Sequence, residues 1–370
     1  MLQKKFLRKY LLKIEDEQEF YRSFRDTLID MEFWQKDVLY ETGKGGMQQI
    51  DGEWVYVGQN GSIKQDGFHP EIYSGVEGGA YILEKMLVGT EEIKKIIAKL
   101  FQQFSQSPNI FYPLFLLSIM AVTCGYFREN GEADFMRLTA WLDGASGSGK
   151  TELAKAAGNF FFQDERKEKA IEPVTAGGRY ILERLSQSSG VVFILDDVKK
   201  EQTRERRNSV ADTVDDVLRS VYQGKMTNVR GKKIKLEKID CCGLITGEYL
   251  DTTESQNARL IYLRVDGFLK NPGNSRALRV IQKNPIWLAS VGVWYIQWFL
   301  RKAEESSFQS LVDLELEALR KNLIPILSDT LGGYGNVREI FRKLSEKCRK
   351  KHTNRDGGYV FLIRRGSGNP

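Results

Sequence analysis

A lysine and a threonine directly after a glycine-rich turn, Lys150 and Thr151 in the run GASGSGKT at 144–151, are suited to holding a polyphosphate. The spacing G-x-x-x-x-G-K-[ST] turns backbone N–H groups toward the anion, with the positive end of a helix behind them. Gly144, Ser146, Gly147, Ser148 and Gly149 form the cradle, because glycines let the chain curl around oxygen atoms without a Cβ in the way. Lys150 reaches the β and γ phosphates, and the Thr151 hydroxyl ligates Mg²⁺. The cofactors expected are therefore ATP and Mg²⁺. A flexible Gly/Ser connector explains neither the Lys-Thr pair nor the helical spacing of Leu153, Ala156, Ala157 and Phe160 that follows. No N-K-x-D follows the next acidic strand, which argues against GTP.

Three further positions complete a hydrolytic constellation. The apolar run VVFIL at 191–195 leads into Asp196 and Asp197. An acid at the C-terminal end of a parallel strand lies beside a phosphate loop leaving the same sheet edge. Asp196 is then a metal residue and Asp197 the group that polarises the attacking water. The run GLITGE at 243–248 ends an apolar strand on Thr246, the expected sensor of the γ-phosphate; Glu248 is either structural or an aid in ordering water. Arg259, just before the strand LIYLRV at 260–265, is placed to point at a neighbouring subunit's γ-phosphate and stabilise charge developing there.

These residues need an α/β frame, and the elements alternate accordingly. The pattern predicts strands at 138–142, 171–175, 191–195, 241–246 and 260–265, with helices at 179–185 and 210–222. Between the second helix and the sensor strand lies KMTNVRGKKIKLEK at 225–238, read as a hairpin with a Gly-Lys turn. Arg230, Lys232, Lys233 and Lys235 sit on its tip and arms, where cations on a rigid arm neutralise nucleic-acid phosphates.

The division expected is an accessory region at 1–100, an ATPase core at 101–268, and a helical lid with a basic tail at 269–370. The first 40 residues read as a charged amphipathic helix, not a signal peptide. Short β-like pieces follow from 38 to 73, including WVYV at 54–57. Helical periodicity returns at Ala80. GKGG at 43–46 reads as a turn. The lid is expected to be helical around 287–300 and 311–327, with Arg276 and Arg279 as equal candidates for a second sensor.

The chain of 370 residues is long enough for two or three domains, and its 41% hydrophobic and 28% charged composition is that of an ordinary globular protein. Its net charge of +6 suits a polyanionic partner without demonstrating one. A second basic cluster, Arg342, Lys343, Lys347, Arg349, Lys350, Lys351, Arg355, Arg364 and Arg365, is either a solvated face or a nucleic-acid contact. Cysteines at 124, 241, 242 and 348 form no C-x-x-C pair, and with only His69 and His352 beside them neither zinc nor disulfides are expected; this suits a reducing cytoplasm. The uncharged run at 110–127 nearly reaches bilayer length, but its Pro113, Ser118, Thr123 and Gly125 favour a buried helix, and no membrane is expected.

Taken in order, GASGSGKT, VVFILDD, YQGKMTNVRGKK, TGE and SQNARLIYL resemble the AAA+ ATPases over about residues 38–300. In particular they resemble the helicase-like proteins of phages and mobile elements classed as domain-of-unknown-function 927, akin to superfamily 3 and minichromosome-maintenance helicases. The uncharged helix before the core strand is similar too. The resemblance implies an AAA+-type P-loop core with an α+β N-terminal region and a helical C-terminal region. It implies a homo-oligomer, a hexameric ring, whose hairpin grips DNA in a central channel. Asp197 stands where many AAA+ proteins carry Glu. The activity implied is an ATP-driven DNA helicase or translocase of a phage, plasmid or integrated element. Competing readings are an ATP-controlled switch or scaffold and a small-molecule kinase.

Overall fold

The computed structural model describes residues 40–76, 79–80, 82, 89–130, 137–158, 160–161, 171–199, 202–230, 233–248, 256, 259–284, 286–305, 308, 310 and 314. The N-terminal amphipathic helix, nearly all of the helix expected at 311–327, the C-terminal basic cluster and Lys232 lie outside these residues.

Six short strands come first: β1 (Tyr40–Thr42), β2 (Gly46–Ile50), β3 (Glu53–Val57), β4 (Ser62–Ile63), β5 (Phe68–His69) and β6 (Ile72–Ser74). Two helices follow, α1 (Thr90–Gln103) and α2 (Pro108–Glu129). The chain then runs β7 (Thr139–Asp143), α3 (Lys150–Gly158), β8 (Ile171–Pro173), α4 (Gly178–Gln187), β9 (Ser189–Val198) and α5 (Arg204–Gln223). Next come β10 (Lys225–Arg230), β11 (Lys233–Lys238), β12 (Asp240–Gly247), β13 (Leu260–Arg264), α6 (Pro272–Lys283) and α7 (Ile286–Ala303).

Five of these strands build one wholly parallel sheet in the order β13-β7-β12-β9-β8. Its central strands are apolar nearly throughout, as strands covered on both faces must be. The two-residue period sends Ala140, Leu142, Val192, Ile194, Cys242 and Leu244 into a layer with α1, α2, α3, α6 and α7. The alternate residues, Trp141, Phe193, Leu195, Cys241 and Ile245, meet α4 and α5 on the other face. Among the described residues, α2 is the one helix long and apolar enough to cross a bilayer, and 72% of its apolar window is buried as it packs across β9 and β12. Within that layer the Cys124 and Cys242 thiols lie 3.8 Å apart, and this contact together with burial pushes the Cys124 thiol up.

Ahead of this core, β2 to β5 form an antiparallel sheet, while β1 pairs in parallel with β6. Asp51 and Gly52, at φ 52° and 86°, close the β2–β3 hairpin, the Asp-Gly pair that a two-residue turn with left-handed backbone requires. GKGG at 43–46 does more than turn the chain. Gly46 opens β2 against Gly190 of β9, where a Cβ on Gly190 would fall 2.6 Å from the Gly46 Cα. The buried Tyr56 hydroxyl donates to the Gly190 carbonyl at 2.8 Å, and Lys44 Nζ donates to the Lys238 carbonyl at the foot of β11.

Helix does not begin at Ala80. The Asn60 side chain donates to the Ile82 carbonyl and accepts its N–H, both at 2.8 Å, while Gln59 N–H donates to the Ala80 carbonyl. These bonds hold the segment against the β3–β4 turn, and the first described helix starts at Thr90. Tertiary pairing has overridden a local periodicity.

His69, at the end of β5, holds Glu71 through Nδ1 at 2.7 Å and Asp66 through Nε2 at 2.8 Å. Burial draws its pKa down, but the two carboxylates outweigh burial and the net value is raised. The hydrogen bond from His69 keeps the Asp66 carboxyl below its usual range. The stabilisation is therefore full below the unfolded imidazole value and is lost as pH rises through the folded one. In thermal melts, His69→Gln is expected to lie furthest below wild type near pH ~5.5 and to converge on it by pH ~8.5. A gap that is flat or widens with pH would contradict the pairing.

Candidate functional site

β7 carries the chain into the GASGSGKT loop, and α3 begins at Lys150. Ala145, Ser146 and Gly147 are exposed, Gly144 and Ser148 are buried, and the space beside Gly147 is open. Gly149, at φ 95°, leaves no room for a side chain, since a Cβ there would meet the Leu269 side chain at 2.8 Å. Lys150 Nζ donates to the carbonyls of Gly144 at 2.7 Å and Ala145 at 2.9 Å, so the ammonium lies over the loop.

The acid pair meets this loop through a bulge. In the β9–β12 register Leu195 faces Ile245 and Val198 faces Gly247, so Asp196 and Asp197 together oppose Thr246. The expected strand end at Leu195 is thus passed by three residues, and Asp197 takes a left-handed φ of 65°. The result splits the two carboxylates. Asp196 receives the Thr151 hydroxyl at 3.1 and 3.2 Å and also the Thr246 hydroxyl. Asp197 turns outward, is exposed, and pairs with Lys199 at 2.8 Å.

Thr246 is 1% exposed and accepts the Asp197 N–H at 3.2 Å. Its hydroxyl underpins both acids. Glu248 is exposed, and its N–H donates to the Val198 carbonyl.

Asp266 was not among the residues expected here. It follows β13 and accepts the Ala145 N–H at 3.1 Å while pairing with Arg264 at 2.8 Å. Arg264 first, and the loop N–H second, hold its carboxyl below the usual range. The available signal was the one used for Asp196, an acid just past a core strand. The neighbouring order of β13 and β7, invisible in sequence, is what brings it to the loop.

Arg259 stands at the start of β13, whereas the phosphate loop follows the end of the parallel neighbour β7. The strand separates them by roughly 15 Å at 3.3 Å per residue. Its guanidinium lies 5.5 Å from the Tyr222 ring centroid. Arg276 and Arg279 are both exposed on α6, and the geometry does not choose between them.

The basic segment is a hairpin, as expected: β10 and β11 pair antiparallel with Arg230 opposite Lys233 and Asn228 opposite Lys235, around residues 231–232.

Magnesium keeps several waters and takes one or two protein oxygens beside substrate phosphates. The adjacent Thr151 hydroxyl and Asp196 carboxylate fit that donor set. Among the described residues, no group of three or more His, Cys, Asp and Glu side chains could hold a metal by itself.

Sheet order, loop and acid pair define the class: an α/β protein whose phosphate-loop motif leaves a five-stranded parallel sheet. The solved structure of the active SCCmec type IV helicase Cch matches over 94% of this chain and 66% of its own, with a TM-score of 0.51 and 15% identity. The chain thus shares that helicase's fold and spans just under two thirds of its length. JCV helicase in complex with a small molecule matches 61% of this chain and 69% of its own, at TM-score 0.29 and 16% identity. The apo C-terminal region of NrS-1 matches 82% and 78%, at TM-score 0.29 and 14% identity. No family model matches the chain, and no curated protein does.

Proposed function

We propose that the chain is an ATP-hydrolysing, ring-forming motor that moves along or unwinds DNA during replication of a phage, plasmid or integrated mobile element. On this reading it belongs with the helicase-like proteins of the domain-of-unknown-function 927 type. One observation carries the proposal: the Thr151 hydroxyl and the Asp196 carboxylate meet at 3.1 Å beside the Lys150 loop, at one edge of the core sheet.

In this scheme backbone N–H groups of 144–151 and the Lys150 ammonium bind the β and γ phosphates. Thr151 and Asp196 hold magnesium, which when bound offsets phosphate charge. The outward Asp197 carboxylate accepts a proton from the attacking water, and Lys199 sets its resting position. Thr246, bonded to Asp196 and to the Asp197 backbone, transmits displacement of either acid along β12. That strand continues directly from the hairpin, whose Arg230, Lys232, Lys233 and Lys235 neutralise DNA phosphates. Arg259 lies too far along β13 to serve its own loop, which supports a role at another copy's triphosphate.

The test is ATP hydrolysis by wild type, Lys150→Ala and Arg259→Ala, each with and without single-stranded DNA, and by a mixture of the two variants. The motor predicts DNA-stimulated turnover with strand displacement, two inactive variants, and recovery on mixing. Nucleotide-dependent assembly without displacement marks a switch or scaffold instead. Turnover indifferent to DNA, with no recovery on mixing, overturns the proposal.

A further inference from the structure

The elements around Arg259 converge on one face of α5. Asp215 and Tyr222 lie seven residues apart, two helical turns on the same side. Asp215 accepts the Gln256 amide at 2.9 Å and pairs with Arg219 at 2.6 Å. The Gln256 carbonyl in turn accepts the Arg259 N–H at 2.9 Å, so Arg259 is tied to α5 through the Gln256 side chain. One step on, the Arg259 guanidinium rests over the Tyr222 ring, and its Nη1 is buried with no hydrogen-bond partner among the described residues.

That combination is chemically specific. An aromatic face attracts a guanidinium through its quadrupole but offers no lone pair to its N–H donors. A desolvated charged donor without an acceptor is costly, so Nη1 stands to gain from any acceptor that reaches it. A carboxylate at the same spot would engage it bidentately and hold it. Tyr222 is itself 49% exposed, as is Tyr262 at 47% on the edge strand β13, and exposed aromatics beside an edge strand are what an interface between copies uses.

We propose that Tyr222 is the positioning residue for Arg259: its ring seats the guanidinium, whose unpartnered Nη1 is to be given to anionic phosphate oxygens held by a second copy of the chain. This rests on the reading of Arg259 given above.

The experiment is steady-state ATP hydrolysis by the full chain with single-stranded DNA. Tyr222→Phe keeps the ring and should turn over within about twofold of wild type. Tyr222→Leu loses the aromatic face and should lower kcat about tenfold, with KM for ATP within about twofold, because the chain's own phosphate loop is at the far end of β13. Tyr222→Glu should lose about as much as Arg259→Ala, since the new carboxylate captures the guanidinium. The Tyr222→Leu, Arg259→Ala double variant should be no worse than Arg259→Ala alone.

Equal losses in the Phe and Leu variants, or losses that add in the double variant, overturn the seat. Arg259→Ala turning over like wild type overturns the finger reading and the seat together. An inactive Arg259→Ala beside an unaffected Tyr222→Leu overturns the seat alone.

Discussion

Lys150→Ala is expected to lower ATP turnover by about 10³-fold and to weaken Mg-ATP binding at least about tenfold, the scale for removing one preorganised charge from developing phosphate charge. The ammonium is held over the loop by the Gly144 and Ala145 carbonyls, 2.7 and 2.9 Å away, so it is already aimed where the phosphates would sit. Removing it leaves the α3 N-terminus and the loop N–H groups intact, which is why binding should suffer less than hydrolysis. Isothermal titration with Mg-ATP and a coupled ATPase assay check the two effects, and the thermal midpoint checks the fold. Turnover within tenfold of wild type in a folded variant would place the nucleotide elsewhere.

The second large effect concerns stability. Asp240 opens β12 with its side chain only 4% exposed, and it forms an ion pair with Arg128 at the end of α2. Loss of Asp240 leaves the largely buried Arg128 guanidinium with a half-exposed carboxylate in place of a buried one, which costs about 3 kcal/mol. The Asp240→Ala variant should therefore lose about that much in urea denaturation. Glu129 also pairs with Arg128, at 2.7 Å, but it is half-exposed, so Glu129→Gln should cost under about 1 kcal/mol. Similar small losses in both variants would show that Asp240 is solvated. The pair ties the longest buried helix to the strand that bears Thr246, close to where Lys44 and Glu129 reach Lys238 at the foot of the hairpin.

Several elements could be read directly. Local rules are enough for VVFIL, the i, i+3, i+4, i+7 series Val214, Val217, Leu218 and Val221, and the antiparallel pair β10 and β11, because each depends on neighbours within a few residues. Different roles for Asp196 and Asp197 were expected from the sequence, but the bulge that parts their side chains could not be read this way. On β12 one residue, Thr246, stands opposite both, and the extra residue turns Asp197 outward. Asp266 was missed because it meets Ala145 only through the pairing of β13 with β7. Ala80 was misread because Asn60 supplies paired hydrogen bonds that outweigh a weak helical pattern.

What the chain's residues determined alone is a motif and its place: a glycine loop closing on Lys-Thr can be read without a partner strand, because its spacing lies within one turn and one helix start. The alternation of apolar runs determined the α/β class for the same local reason. What only the tertiary structure decided is which groups share a site and which are kept apart. Strand order joins β7 to both β12 and β13, bringing Asp196, Thr246 and Asp266 to the loop while leaving Arg259 at the other end of its strand on the Tyr222 ring. Pairing among parallel strands is set by burial across the whole sheet, a sum over distant residues that no local window contains.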